Sequence, residues 1–193
     1  MKQCFFMEKS KTGLLLVDVQ EKLFPLVDHP NEVFSSLVRL IEGFKKLALP
    51  IVVSEQYPQG VGKTIPELRQ ILPEGQKYWE KTTFACGRDA GLRDYLFSLD
   101  IDTWVIAGIE AHVCVMQTAK DLVLAGKHAV VINDAISSRS IYDFSTAISE
   151  MKDWTRVTST ESALFELIGD AGAPEFKSCL ELFKNEPPKC CCS

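Results

Sequence analysis

Short apolar runs alternate with longer amphipathic segments along this chain. Each apolar run has the length and composition of a strand buried on both faces, and each amphipathic segment repeats its apolar residues at helical spacing. This alternation predicts a three-layer α/β fold, in which a mostly parallel central sheet of about six strands has helices on both faces. The predicted strands cover 12–19, 51–53, 76–80, 104–107, 129–132 and 156–158, and the predicted helices cover 31–48, 92–99, 113–125, 142–152, 161–168 and 176–183.

The stretch 103–126 holds the first candidate for chemistry. Its strand ends at Gly108, and the helix after it is predicted to stop at Gly126, because glycine readily adopts a left-handed conformation. Cys114 lies at the turn between strand and helix. The unpaired N–H groups and the positive end of the helix dipole predict that its thiol ionises readily and is a nucleophile near neutral pH. Position alone leaves a buried, unreactive cysteine as the alternative.

Two charged residues also stand where predicted strands end. Asp18 lies at the end of the first strand, and Lys81 directly follows the third. The carboxyl ends of parallel strands meet at the edge where open α/β sheets hold ligands, so Asp18, Lys81 and Cys114 are predicted to converge there. Taken singly, Asp18 could be a turn-forming acid and Lys81 a solvated surface charge.

Three segments of the chain carry a family resemblance. They are 14–20 (LLLVDVQ), Lys81 just after the third strand, and 108–114 (GIEAHVC) followed by Thr118. In this order they resemble the isochorismatase-like cysteine hydrolases, a superfamily that includes nicotinamidases, carbamoyl-amide hydrolases and isochorismatases. The resemblance extends over residues 14–170, and its motifs are most similar to the small isochorismatase-domain-containing proteins.

The resemblance implies a chemical mechanism with a catalytic triad. Cys114 would attack a carbonyl carbon, and Asp18 would take the thiol proton and later return one to the leaving amine. Lys81 would lie between them and offset charge during the attack. Because the cysteine is retained, the implied reaction is hydrolysis of a C–N bond in a small amide or carbamoyl-type substrate through a thioester intermediate.

The resemblance also implies an oxyanion hole and a substrate pocket. The oxyanion would rest on backbone N–H groups of Glu110, Ala111 and Cys114, after a cis peptide bond between Ile109 and Glu110. The pocket residues are expected on loops at the same edge of the sheet, although ordinary loop packing remains the alternative for each. These candidates are Gln20, Leu23, Glu55, Tyr57, Phe84 and His112.

No metal or other cofactor is predicted. Nicotinamidases carry a metal site of Asp and His residues after the second strand, whereas this chain has the sequence SEQY at 54–57. Its three histidines, His29, His112 and His128, lie far apart in the sequence, which makes a multi-histidine site improbable. The predicted hydrolysis is therefore metal-independent.

Composition and charge narrow the class of partner. The chain has 193 residues, a formal net charge of −5 and no run of basic residues, which argues against nucleic acid and favours a small-molecule substrate. Its apolar runs are too short for a signal peptide or a membrane span, and its seven cysteines are not spaced as a disulfide framework. A cytoplasmic or other reducing location is therefore expected, and the family resemblance implies a homo-oligomer.

The chain is predicted to form a single domain over 1–185, followed by a disordered, cysteine-rich tail over 186–193. The tail contains Cys190, Cys191 and Cys192 before the final serine, which formally fits a lipidation signal. A second hypothesis follows from this tail. The protein could be a non-catalytic or weakly catalytic binding or regulatory module on the same fold, tethered to a membrane only if those cysteines are lipidated.

Overall fold

The computed structural model describes residues 6–184 of the chain, and within that range the strands and helices alternate as predicted. The strands are β1 (Thr12–Val17), β2 (Ile51–Gln56), β3 (Tyr78–Lys81), β4 (Thr103–Ile109), β5 (His128–Ser137) and β6 (Arg156–Thr158). The helices are α1 (Pro30–Lys46), α2 (Pro58–Val61), α3 (Pro66–Ile71), α4 (Ala90–Ser98), α5 (Met116–Leu124), α6 (Ile141–Lys152), α7 (Thr160–Ile168) and α8 (Phe176–Lys184).

All neighbouring strands of the sheet are parallel, in the order β3-β2-β1-β4-β5-β6. The chain builds the sheet outward from β1 in one direction and then returns to build outward from β4 in the other. The strand order therefore reverses between β1 and β4, and a crevice forms at the carboxyl ends of these two strands. The predicted three-layer α/β fold is confirmed.

Each face of the sheet is covered by its own apolar cluster. Because both faces are buried, the strands consist of continuous apolar residues and do not alternate with polar ones. Leu14 and Leu16 point into the cluster on one face, together with side chains of α1 and α7. Leu15 and Val17 point into the cluster on the other face, against α4, α5 and α6. Each of these β1 side chains is 0% exposed, and burying one contributes about 1.5–3 kcal/mol.

The largest departure from the predicted elements lies at the end of β5. The strand was expected over 129–132 with a polar connection after it, but it continues to Ser137. Its register against β4 is interrupted between Ile106 and Gly108, after which Gly108 pairs with Ile136. This irregularity allows polar residues inside the strand, a feature that an apolar pattern cannot reveal.

Two short helices, α2 and α3, lie between β2 and β3, where the sequence analysis predicted no helix. Proline begins both of them, and at the first helical position its missing N–H costs no hydrogen bond. Within 6–184, no helix combines the length and apolar character needed to cross a membrane. The predicted tail, 186–193, lies outside the described residues.

Candidate active site

Asp18 is the residue that immediately follows β1, and its backbone is left-handed, with a φ of 51°. Aspartate tolerates this conformation better than most residues, and such strain is concentrated at functional sites. The side chain is 0% exposed. Its Oδ1 accepts a hydrogen bond from the Ser54 hydroxyl at 2.7 Å, and its Oδ2 accepts one from Lys81 Nζ at 2.7 Å. The carboxylate is therefore buried, paired and fixed in orientation.

Lys81 is the last residue of β3 rather than the residue after it, and its side chain is also fully buried. Besides Asp18, Nζ donates to Gln56 Oε1 at 2.8 Å and to the carbonyl oxygens of Thr83 and Phe84 at 3.2 and 3.0 Å. Burial alone would lower the pKa of Lys81, but the neighbouring Asp18 carboxylate raises it on balance. Lys81 is thus a buried, charged group and not a solvated surface charge.

Cys114 lies in a turn of π-helix, Ala111–Val115, between β4 and α5, and it is 7% exposed. Its thiol lies close enough to Asp18 and Lys81 for both of their charges to act on it. Burial raises the pKa of the thiol well above its ordinary value, and Asp18 raises it further, while Lys81 lowers it only in part. The expectation of a readily ionised thiol is therefore contradicted, because burial and the Asp18 charge both favour the protonated form. A proton on the sulfur lies beside a carboxylate that can accept it.

Gly108 brings the two sides of the crevice together. Its φ is 119°, and a Cβ on this residue would lie 2.0 Å from the Val17 carbonyl oxygen, so only glycine permits this approach of β4 to β1. The peptide bond between Ile109 and Glu110, which follows directly, is cis. We call residues 110–114 the oxyanion turn, since its backbone carries the N–H groups predicted to hold an oxyanion. Gly108 pairs with Val17, so the strand that leads into the turn runs beside the strand that ends just before Asp18.

The predicted pocket residues fall into two groups. Tyr57 and Phe84 are about half exposed, Leu23 is partly buried against one apolar cluster, and His112 Nδ1 lies 2.9 Å from the Ser138 hydroxyl. Tyr57 also has a left-handed backbone, with a φ of 34°. These four side chains remain candidates for contact with a substrate.

Gln20 and Glu55 are placed differently, because both are buried and already bonded to protein groups. Gln20 bridges β2 to the next loop by accepting from the Gln56 N–H and donating to the Gln56 and Gly62 carbonyl oxygens. Glu55 accepts from Thr64 and Arg69 at 2.7–2.8 Å. Both side chains therefore lie below the surface of the site, where they hold the neighbouring loops in place.

Two side chains that the sequence analysis did not single out form hydrogen bonds with the Asp18–Lys81 pair. They are Ser54, which donates to Asp18, and Gln56, which accepts from Lys81. Both belong to β2, and β2 lies between β1 and β3 in the sheet. Had the strand order been known, polar residues at the end of the middle strand would have indicated these partners. No group of three or more metal-binding side chains exists within 6–184, and the metal-independent mechanism stays a prediction.

Comparison with known proteins identifies a family, relatives in sequence and solved structures that are similar to this chain. The isochorismatase domain family matches residues 12–162. Isochorismatase domain-containing protein 2 of Xenopus laevis is 34% identical over 176 residues, which span 91% of this chain and 84% of the relative. A solved structure described as the MAR1 ribonuclease of Caenorhabditis elegans superposes with a TM-score of 0.87 at 32% identity, covering 95% of each chain.

A more distant solved structure shares the fold. The YcaC gene product of Escherichia coli, described as an octameric hydrolase of unknown specificity, superposes with a TM-score of 0.88. The alignment covers 97% of this chain and 94% of that one, at 22% identity. At this identity the likeness concerns the fold alone.

Proposed function

Because the chain belongs to the isochorismatase domain family, which supports a hydrolase, we propose that it is a metal-independent cysteine hydrolase with an Asp18–Lys81–Cys114 triad. The proposed reaction cleaves a C–N bond of a small amide or carbamoyl-type substrate through a thioester. One observation carries the proposal: a buried thiol lies beside a buried carboxylate that is itself paired with a buried lysine. A protonated thiol needs a base within reach, and Asp18 is that base.

In the first half-reaction, the thiol proton of Cys114 passes to Asp18 as the sulfur bonds to the substrate carbonyl carbon. The carbonyl electrons move to oxygen, where the N–H groups of the oxyanion turn stabilise the charge. Asp18 then gives its proton to the leaving nitrogen, the C–N bond breaks, and an acyl thioester remains on Cys114.

In the second half-reaction, a water molecule gives a proton to Asp18 and its oxygen attacks the thioester carbon. The C–S bond breaks, and the sulfur recovers its proton from Asp18, so the enzyme returns to its starting state. Lys81 keeps its four partners throughout and offsets the negative charge that shifts between carboxylate, sulfur and oxyanion.

The loops at the carboxyl edge of the sheet favour a small substrate with a planar or apolar group. Tyr57 and Phe84 present exposed rings at the edge that carries the triad, and Leu23 and His112 complete the proposed pocket. The homo-oligomer implied by the family resemblance is part of the proposal; the E. coli neighbour, described as octameric, shares only the fold. The ribonuclease name belongs to the C. elegans relative; for this chain, a net charge of −5 disfavours the phosphate backbone of RNA.

The test uses the full-length protein and a panel of small primary amides and carbamates, with release of ammonia as the readout. We expect the wild type to hydrolyse at least one of them, and acid quenching followed by mass spectrometry to trap an acyl group on Cys114. Cys114→Ser should lose the activity. The matched control is Cys179→Ser, which changes another buried, free cysteine on α8 and should keep it.

Two outcomes would overturn the proposal. If no acyl group forms on Cys114 and Cys114→Ser matches the wild type throughout, the alternative of a binding or regulatory module is favoured. The mass of the protein isolated from its native setting, which we propose to be the cytoplasm, would then show whether Cys190, Cys191 or Cys192 carries a lipid. If RNA is cleaved in a Cys114-dependent way while no amide is, the substrate class proposed here is wrong.

A further inference from the structure

The oxyanion turn is tied to the loop after β5 by an ion pair. Glu110, the first residue of the turn, accepts two hydrogen bonds from Arg139 at the same oxygen, Oε1. One comes from the backbone N–H at 3.1 Å and the other from Nε at 2.8 Å. The Glu110 side chain is 12% exposed, whereas that of Arg139 is 62% exposed. The carboxylate is thus held toward the loop that carries Arg139.

The segment 137–139, which carries Arg139, is itself fixed on its other side. The Ser137 hydroxyl donates to the Asp28 carbonyl oxygen at 2.8 Å, and the Asp28 N–H donates to the Ser138 carbonyl oxygen at 2.9 Å. The Ser138 hydroxyl also lies 2.9 Å from His112 Nδ1, so a second contact joins the segment to the oxyanion turn. The segment therefore connects the turn to the loop that follows Asp18 along the chain.

We propose that Arg139 is a positioning residue, which holds the oxyanion turn in its productive geometry through Glu110. The inference rests on the proposed function, because it concerns the N–H groups of residues 110–114 as oxyanion donors. Such donors stabilise the developing charge only when they already point at it, and a displacement of about 1 Å can cost on the order of 100-fold in rate. Arg139 does not touch the reacting atoms.

The same ion pair has an electrostatic consequence. Glu110 lies at the start of the turn whose N–H groups would hold the oxyanion, and a carboxylate directed at that oxyanion would oppose the negative charge that develops on it. The hydrogen bonds from Arg139 hold the carboxylate at the loop and place a positive charge beside it. The position in which Arg139 holds the Glu110 carboxylate and the positive charge that it supplies therefore both favour the oxyanion.

Two reagents that treat Cys114 differently test this role. p-Nitrophenyl acetate acylates the thiol through a tetrahedral oxyanion and releases p-nitrophenolate, whereas iodoacetamide alkylates it by displacement of iodide, with no oxyanion. Both rates are measured on the full-length protein, with mass mapping of Cys114, in Arg139→Ala and Arg139→Lys. Arg88→Ala is the matched control, since Arg88 forms a comparably exposed ion pair with Asp121.

We expect Arg139→Ala to acylate Cys114 about 10- to 100-fold more slowly while its alkylation rate stays at the wild-type value. Arg139→Lys keeps a cation beside Glu110 and should recover part of the acylation rate. Arg88→Ala should match the wild type with both reagents. The divergence between the two reagents is what distinguishes positioning of the oxyanion turn from general loosening of the site.

Three results would contradict this inference, and they show whether the proposed function fails with it. If the wild type acylates at Cys114 and Arg139→Ala acylates equally fast, the positioning role is wrong and the hydrolase proposal stands. If acylation and alkylation fall by the same factor in Arg139→Ala, the residue supports the fold rather than the oxyanion turn. If the wild type alkylates but never acylates at Cys114, the hydrolase proposal itself fails, and the positioning role fails with it.

Discussion

Two cation–carboxylate pairs flank Cys114, and their environments differ sharply. Lys81 and Asp18 meet at 2.7 Å, with both side chains 0% exposed. Arg139 and Glu110 meet at 2.8 Å, but the arginine is largely in solvent. Distance does not distinguish the two pairs. Exposure does, and it determines what each pair can contribute.

A buried pair carries a large desolvation cost, of order several kcal/mol for each ion, which only excellent geometry and further hydrogen bonds offset. Those bonds are present here, because Lys81 has three acceptors besides Asp18, and Asp18 also accepts from Ser54. An exposed pair is screened by water and contributes about 0–1 kcal/mol. The buried pair therefore governs charge at the thiol, and the exposed pair matters chiefly for where it holds the backbone.

Breaking the buried pair should have the largest effect. Lys81→Met removes the cation and leaves Asp18 buried without its partner, so we expect the free energy of unfolding to fall by about 3–5 kcal/mol. Amide hydrolysis should be lost as well. Urea denaturation near pH 7, followed by circular dichroism, measures the loss of stability.

The control for this experiment is the double variant Lys81→Met with Asp18→Asn. It removes both charges, so it should recover most of the stability that the single variant lost, while hydrolysis remains absent. A Lys81→Met protein as stable as the wild type would mean that the pair is less desolvated than its burial indicates, and the contrast with Arg139 would collapse.

The fold and the convergence of Asp18 with Lys81 were predictable because each rests on local sequence. Apolar runs such as 14–17 reveal buried strands, and the carboxyl ends of parallel strands share an edge whatever the strand order. The acceptors of Lys81 were not predictable in the same way. Two are backbone carbonyls of Thr83 and Phe84, whose directions depend on the loop conformation and not on which side chains it carries.

The pKa shift of Cys114 and the contact of Arg139 with Glu110 could not be predicted from the sequence, for related reasons. Helix-dipole arguments need only the position of Cys114, whereas desolvation depends on how side chains from distant segments pack around it. Arg139 reaches Glu110 because β5 continues through an irregular register, which the polar sequence after Ile132 conceals. Long-range packing, and not local pattern, decides both features.

Removing the carboxylate of the buried pair, but not its cation, should separate reactivity from catalysis. Asp18 raises the pKa of the Cys114 thiol and Lys81 lowers it, so Asp18→Asn should lower that pKa and increase the thiolate fraction at neutral pH. We expect the thiolate fraction at pH 7–8 to rise about tenfold for each unit by which the pKa falls, and alkylation of Cys114 by iodoacetamide to become faster by a smaller factor, because a less basic thiolate is a weaker nucleophile. Amide hydrolysis should nevertheless be lost, because no base remains.

The pH profile of alkylation supplies the control. In the wild type the rate should still be rising above pH about 9, where an ordinary thiol has largely ionised, and in Asp18→Asn the rise should shift to lower pH. Lys81→Met should shift it in the opposite direction. If Asp18→Asn alkylates more slowly than the wild type at every pH, the carboxylate does not oppose ionisation of the thiol.

The smallest effect on stability is expected at the exposed pair. Arg139→Ala should change the free energy of unfolding by less than about 1 kcal/mol, because water and salt already screen its interaction with Glu110. Arg88→Ala, which breaks the pair with Asp121 at nearly the same exposure, should change it by a similar amount. The two variants would then be equal in urea denaturation and differ only in acylation of Cys114. If Arg139→Ala instead loses as much stability as Lys81→Met, exposure is not what separates the two pairs, and the oxyanion turn is held by an interaction far stronger than a screened ion pair.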